Sequence, residues 1–126
     1  MEVRVTEVVD QAGRLRVAFE SECGAGEAYW VGPAPVPGDH RFVEFELRRV
    51  LTTERDLFMT DQSSGFRKEG AQLVLVARVE VSERSGLVSL SCGHLRLDVE
   101  VAGPLPVVGR RYQFAANDLE AYDCEY

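Results

Sequence analysis

Apolar and polar residues alternate along most of this chain. Leu95, Leu97, Val99 and Val101 are interleaved with Arg96, Asp98 and Glu100. Val43, Phe45 and Leu47 alternate with Glu44, Glu46 and Arg48, and Leu15, Val17 and Phe19 with Arg14, Arg16 and Ala18. A period of two sends successive side chains to opposite faces of a strand, one buried and one wetted. Leu73 to Val81 departs from this pattern. Its first residues, Leu73, Val74, Leu75 and Val76, are apolar in both registers, which predicts a strand covered on both faces. Glycine-terminated hairpin loops are expected at Gln11-Ala12-Gly13 and Arg84-Ser85-Gly86, and a two-residue turn at Cys92-Gly93. Asp61 to Gly70 reads as an exposed loop. Asn117-Asp118 reads as the cap of one short helical turn through Tyr122. No other helical period is present, and Thr53 to Met59 is ambiguous.

The pattern repeats. All five prolines fall in two segments, Gly32-Pro33-Ala34-Pro35-Val36-Pro37-Gly38 and Gly103-Pro104-Leu105-Pro106-Val107-Val108-Gly109. Gly, Pro, Pro and Gly share the same offsets in both. An aromatic strand follows each, through Phe42 in the first and Tyr112 in the second; the one-residue difference in spacing predicts a bulge there. Upstream, Gly13 and Gly86 precede alternating strands, and a Cys-Gly pair follows each at Cys23-Gly24 and Cys92-Gly93. These matches predict two copies of one unit, residues 1–50 and 73–122, joined by 51–72. Proline donates no ladder hydrogen bond, so each Gly-Pro segment must lie at an edge or cross a barrel end.

Two units of about four strands make an all-β chain of roughly eight to ten strands. We read residues 1–126 as a single all-β domain of two tandem OB-like (oligonucleotide-binding-like) units, forming a barrel or a double barrel. A unit of about 50 residues buries too little surface to be secure alone, so the two should share a core.

Composition narrows the class. The chain has 126 residues, of which 45% are hydrophobic and 28% charged, a globular balance. The longest strictly apolar run, Leu73 to Ala77, is far shorter than the roughly 20 residues of a membrane-crossing helix. The N-terminus has no signal-peptide pattern. Twenty-one acids oppose fourteen bases, for a net charge of -7. The bases come singly or in pairs, such as Arg48-Arg49 and Arg110-Arg111, rather than in the stripe that nucleic acid requires. That disfavours nucleic acid and suits a basic protein partner. Three cysteines, Cys23, Cys92 and Cys124, with no signal sequence imply thiols in a reducing cytoplasm. With His40 and His94 the only histidines and no C-x-x-C, no metal site or other cofactor is expected.

The second unit resembles the small barrel of the TOBE/MOP group, modules of transport ATPases and molybdate-binding proteins. The resembling elements are Val79 to Leu90 around Gly86, Leu95 to Val101, Val108-Gly109-Arg110-Arg111-Tyr112, and Asn117 to Tyr122. The resemblance covers about 45 residues. It implies an OB-like barrel and, as one function, small-oxyanion binding. Oxyanion sites of the group use backbone amides with Ser or Thr ahead of the glycine turn. The matching stretch here, Ala102-Gly103-Pro104-Leu105-Pro106, has no hydroxyl and two prolines.

No catalytic constellation emerges. There is no Gly-x-Ser-x-Gly, Ser63-Ser64-Gly65 falls in the expected loop, and Cys92 with His94 would sit at a hairpin tip. The carboxylate pairs Glu44/Glu46 and Asp98/Glu100 fit the polar side of a sheet. Trp30 and Tyr29, just ahead of the Gly32-Pro33 turn, and Phe42 beyond it, are the candidate binding residues, because aromatics dominate binding hot spots. The tail Asp118 to Tyr126, with four acids and two tyrosines, reads as a docking segment or a solvated terminus. The expected function is that of a non-catalytic, bacterial-type cytoplasmic binding protein, in concrete form an immunity-like partner of a basic domain. A small-oxyanion binder and an OB-type oligonucleotide binder are the alternatives.

Overall fold

A computed structural model describes residues 1–124; Glu125 and Tyr126, the end of the acidic tail, lie outside the described residues. The described residues are all-β, with twelve strands among them: β1 Glu2–Gln11, β2 Arg14–Ser21, β3 Gly24–Val31, β4 His40–Glu46, β5 Leu51–Thr52, β6 Phe58–Met59, β7 Gly65–Glu69, β8 Gln72–Ser82, β9 Leu87–Cys92, β10 Leu95–Ala102, β11 Arg111–Ala115 and β12 Glu120–Asp123. The first sheet is a closed barrel in the order β1-β2-β3-β12-β4, with β4 pairing back onto β1. The second is a curled sheet in the order β5-β10-β9-β8-β11-β6, and β7 pairs with β8 beside it. No helix among the described residues is long and apolar enough to cross a membrane.

The two sheets are laid out on one pairing scheme. Val5 stands opposite Phe19 as Val79 stands opposite Leu90, and each pair is followed by a register shift, between Val5 and Glu7 and between Val79 and Val81. Each Gly-Pro segment then closes onto that bulge. Gly38 donates its N–H to Val5 O at 2.8 Å, and Gly109 donates to Val79 O at 2.8 Å. Val17, Phe19, Gly32, Gly38 and Val43 thus correspond to Val88, Leu90, Gly103, Gly109 and Phe114 at a constant offset. The bulge therefore lies in β1 and β8, not between the second glycine and the aromatic. Tyr112 corresponds to Arg41, and Phe42 corresponds to Gln113. The cysteines are likewise out of register. Cys92 is paired with Leu95, so the tight turn is Gly93-His94, while its counterpart between Ser21 and Gly24 is Glu22-Cys23.

Each sheet is completed by the segment that follows the other one. β12, after the second sheet, inserts between β3 and β4, parallel to the former and antiparallel to the latter. β5, after the barrel, adds in parallel to β10, and β6 adds to β11. Leu119 and Ala121 are fully buried by this insertion, while Tyr122 is only partly covered. This overturns the expected helical turn at Asn117 to Tyr122. The inward-outward alternation of Leu119 to Tyr122 has a period of two, and its backbone groups are needed by two open strand edges.

The expected loop at Asp61 to Gly70 is also partly a strand. Gly65–Glu69 pairs with Gln72–Val76 across a turn at Gly70. The physical reason is Phe66, which enters the interior and is 9% exposed. Its ring meets Phe19 edge-on at 5.6 Å and Phe45 at 6.4 Å. Burying such a ring stabilises by roughly 2–3 kcal/mol. One continuous core runs through both sheets, from Val3, Val17 and Trp30 to Leu75, Leu97 and Phe114. Leu73, Val74, Leu75 and Val76 are all buried, as a strand covered on both faces requires.

Candidate functional site

The candidate binding aromatics divide between the interior and two separate outer places. Tyr29 and Trp30 are neighbours on β3 and so point to opposite faces. Trp30 faces the barrel interior, 6% exposed, and its indole Nε1 donates to Pro33 O at 2.9 Å. It fastens the first Gly-Pro segment to the barrel. Tyr29 faces outward, its ring covered by the guanidinium of Arg14 at 3.8 Å and of Arg16 at 4.7 Å. Phe42 faces outward on β4 and is 51% exposed. Tyr29 pairs across β12 with the row of Glu46, four residues from Phe42. That puts about 13 Å along β4 and two strand spacings between them. No single small ligand is gripped by all three.

Around Tyr29 the outer face is an ion-pair lattice. Glu120 accepts from Arg14 at 3.2 Å and from Arg48 at 2.5 Å, and Arg48 also donates to the Tyr122 hydroxyl at 2.7 Å. These partners hold the Arg48 guanidinium above its ordinary value, Glu120 first. Arg16 reaches Glu27 at 3.4 Å, and Lys68 of β7 reaches Glu27 at 3.0 Å. The Lys68 ammonium, and after it Arg16, holds the Glu27 carboxyl below the usual carboxylate range. A cleft of about 410 Å3 opens here, lined by Glu7, Val9, Arg16, Glu27, Tyr29 and Asn117 among others. Its cations are already paired within the fold.

A larger groove, about 730 Å3, lies where β4 of the barrel meets β10 of the second sheet. Alternation along β4 turns Glu44 and Glu46 outward into it, and alternation along β10 does the same for Arg96 and Asp98. Met1, Val43, Phe45, His94 and Tyr122 complete the lining. Asp98 accepts from the Ser89 hydroxyl at 2.7 Å. Glu44 and Glu46 have no cation within ion-pair reach among the described residues. Three carboxylates therefore face one guanidinium and the chain's N-terminal ammonium, which is hydrogen-bonded to Val43 O at 3.1 Å. At one end, Glu22 ties the two units together, accepting from His94 N at 2.5 Å and facing His94 Nδ1 at 2.7 Å. The backbone N–H of His94 and then its ring hold the Glu22 carboxyl below its ordinary value.

The sequence marks Glu44, Glu46 and Asp98 as members of two separate strand pairs. Their convergence comes from the packing of β4 on β10, which has no local signal. A third recess, about 290 Å3, is lined by Thr60, Asp61, Arg78, Gly109, Arg110 and Arg111. It sits at the second Gly-Pro turn. The corresponding first turn carries Asp39 where this one carries Arg110.

Among the described residues no group of three or more His, Cys, Asp or Glu is placed to hold a metal ion. The fold and grooves together define an all-β protein of one closed barrel and one curled sheet with exchanged closing strands. No protein-family model matches the chain, and no curated protein and no solved structure matches it.

Proposed function

We propose that the protein is a non-catalytic binding module whose groove between β4 and β10 receives a basic segment of a protein partner. The observation that carries this reading is the convergence of Glu44, Glu46 and Asp98 from both structural units on one open groove. Across the described surface the imbalance has the same sign. Among the described residues Glu7, Asp10, Glu44, Glu46, Glu54, Asp61, Glu83, Asp98 and Glu100 form no ion pair, against Arg84, Arg96, Arg110 and Arg111 among the bases. An unneutralised acidic groove attracts a basic partner over a distance of about one Debye length, roughly 8–10 Å at physiological salt. In its concrete form the partner is a basic domain that this protein neutralises in the cytoplasm, as an immunity protein does.

The test is fluorescence anisotropy with a labelled Arg/Lys-rich decapeptide, against its Glu-rich counterpart. Binding of the basic peptide only, strengthening as salt is lowered, is expected. Replacing Glu44, Glu46 and Asp98 by their amides should weaken it roughly tenfold, at about 0.3–1 kcal/mol per exposed contact. Equal binding by wild type and triple variant would refute the groove.

A second reading, small-oxyanion binding, is favoured by the recess of Arg78, Arg110 and Arg111 beside Gly109. Calorimetry with inorganic phosphate, sulfate and molybdate, in wild type and Arg110→Ala, separates it from the first. An OB-type oligonucleotide reading has only Phe42 as an exposed stacking aromatic among its candidates, since the Tyr29 ring is covered by Arg14 and Arg16.

A further inference from the structure

Cys23 and Cys92 are far apart in the sequence and belong to different structural units. Cys23 lies in the β2–β3 turn of the barrel, and Cys92 ends β9 of the second sheet. The fold brings them together. Each is 5% exposed, and the Cys23 Sγ lies 2.8 Å from the carbonyl oxygen of Cys92. The backbones on both sides are fixed. Cys23 O accepts from Phe66 N at 2.8 Å, and Cys23 N donates to Ser21 Oγ at 3.1 Å. Cys92 is held in the β9–β10 ladder, and the two turns are clasped to one another through Glu22 and His94. The Cys23 sulfur thus rests against the backbone of Cys92, and the two thiols, one from each unit, are neighbours in the interior.

We propose that Cys23 and Cys92 form a dithiol modification site that closes reversibly into a disulfide between the two units when a hydroperoxide is the oxidant. The chemistry balances in two steps. The sulfur of Cys92 attacks one oxygen of hydrogen peroxide, the O–O bond breaks and hydroxide leaves, which makes a sulfenic acid and takes up the thiol proton as water. The sulfur of Cys23 then attacks that sulfur. The S–S bond forms, the S–O bond breaks, and the hydroxyl departs as water with the Cys23 proton. Two electrons pass from the sulfurs to peroxide, and the products are one disulfide and two waters. A small dithiol reverses it by exchange. Cys92 is written as the first nucleophile because its thiol is the one of the two shifted toward the thiolate. Donation from Cys23 holds the Cys92 thiol below its ordinary value, whereas the neighbouring Cys92, burial and the nearby Glu22 push Cys23 up. Cys124 is exposed at the far end of β12 and stands outside the pair.

The experiment treats the full chain carrying Cys124→Ser with a modest excess of hydrogen peroxide, then denatures and alkylates it. The expected product has lost two hydrogens, takes up no alkylating reagent, and yields one linked peptide joining residues 23 and 92. Dithiothreitol restores both thiols. Because the closed loop is long, the oxidised protein should melt roughly 10 °C higher than the reduced one. Two alkylatable thiols after treatment, or Cys92 sulfinic acid with Cys23 still a thiol, would overturn the proposal. All of these readouts use the native cysteine pair, so none depends on a Cys23 or Cys92 variant folding.

Discussion

Gly26 offers the sharpest test of the interior, because its two physical effects have opposite signs. It lies on β3 opposite Phe19. Replacing glycine by alanine in a strand with room stabilises by roughly 0.4–1 kcal/mol, since the unfolded chain loses freedom. There is no room here. A Cβ on Gly26 would stand 2.8 Å from Phe19 Cζ, 3.0 Å from Phe19 Cε1 and 3.1 Å from Phe66 Cδ2. Carbon pairs prefer about 3.5–4.0 Å. The Phe19 ring has no retreat, with Phe45 at 5.7 Å and Phe66 at 5.6 Å between centroids. Overpacking of this kind costs about 1–3 kcal/mol. With roughly 2.1 cal/mol/K of unfolding entropy per residue, a chain of this length loses about 4–12 °C in Tm for that cost. The assay is thermal unfolding of Gly26→Ala and Phe66→Leu, singly and together, followed by the far-ultraviolet β-sheet signal. Gly26→Ala should melt lower, and the double variant should lose less than the sum of the singles, because the shorter side chain frees space. A Gly26→Ala protein that melts at or above wild type would refute the packing argument outright.

Three other outcomes are expected. The Asp123 side chain is only 1% exposed and bonded to Arg41 Nη1 at 2.8 Å, so Arg41→Leu, which removes that charge-assisted hydrogen bond, should cost about 1.5–3 kcal/mol; a chemical denaturation midpoint unchanged from wild type would contradict it. Glu27 titrates below its unfolded value, so its pairing stabilises the fold above the ordinary carboxylate pKa and is lost as pH falls through the folded one. Lys68→Ala should therefore lower stability at neutral pH and flatten its fall below about pH 4.5, and parallel pH–stability curves would contradict that. Ending the chain after Ala115 removes β12 from between β3 and β4 and should abolish the cooperative unfolding transition; a truncated chain with a sharp transition would show that the barrel closes without it.

The strands of both units were legible in the sequence because alternation is a local signal. Val43/Phe45 and Leu95/Leu97 face the core as their period predicts, and the doubly apolar Leu73 to Val76 is covered on both faces. Two elements were misread for one reason. β7 and β12 are short, and each becomes a strand because a distant partner offers it an edge. Phe66 was the missed clue in β7, a lone aromatic in a polar stretch. In β12 the clue was Leu119 and Ala121 at a spacing of two. Register also needed the partner strand. Counting from the glycines puts Phe42 beside Tyr112, but pairing with β1 puts Phe42 outside. The size of Trp30 and its nearness to a turn mark it in the sequence as a candidate binding residue. Its indole N–H is used by Pro33 O, a contact that the adjacency of the Gly-Pro turn makes available without any ligand.

The corresponding positions of the two units show where the chain has room to specialise. Inside, they match in kind: Phe19 and Leu90, Val43 and Phe114, Val17 and Val88 are all apolar and buried. At the mouth and on the outer face they diverge in charge. Arg41 meets Asp123 in the barrel, while its counterpart Tyr112 takes the Val107 N–H at 3.0 Å. Asp39 draws Val36 N and Arg41, while its counterpart Arg110 stands beside Arg78 and Arg111 in an open recess. Packing explains why the interior stays alike, since each sheet needs the same strand pairs and the same bulge. It places no demand on Glu44, Glu46, Asp98 or Arg110, whose side chains have no structural cation or anion to satisfy. Charges that the fold does not need, gathered at grooves that the fold itself creates, are where a partner's chemistry is to be sought.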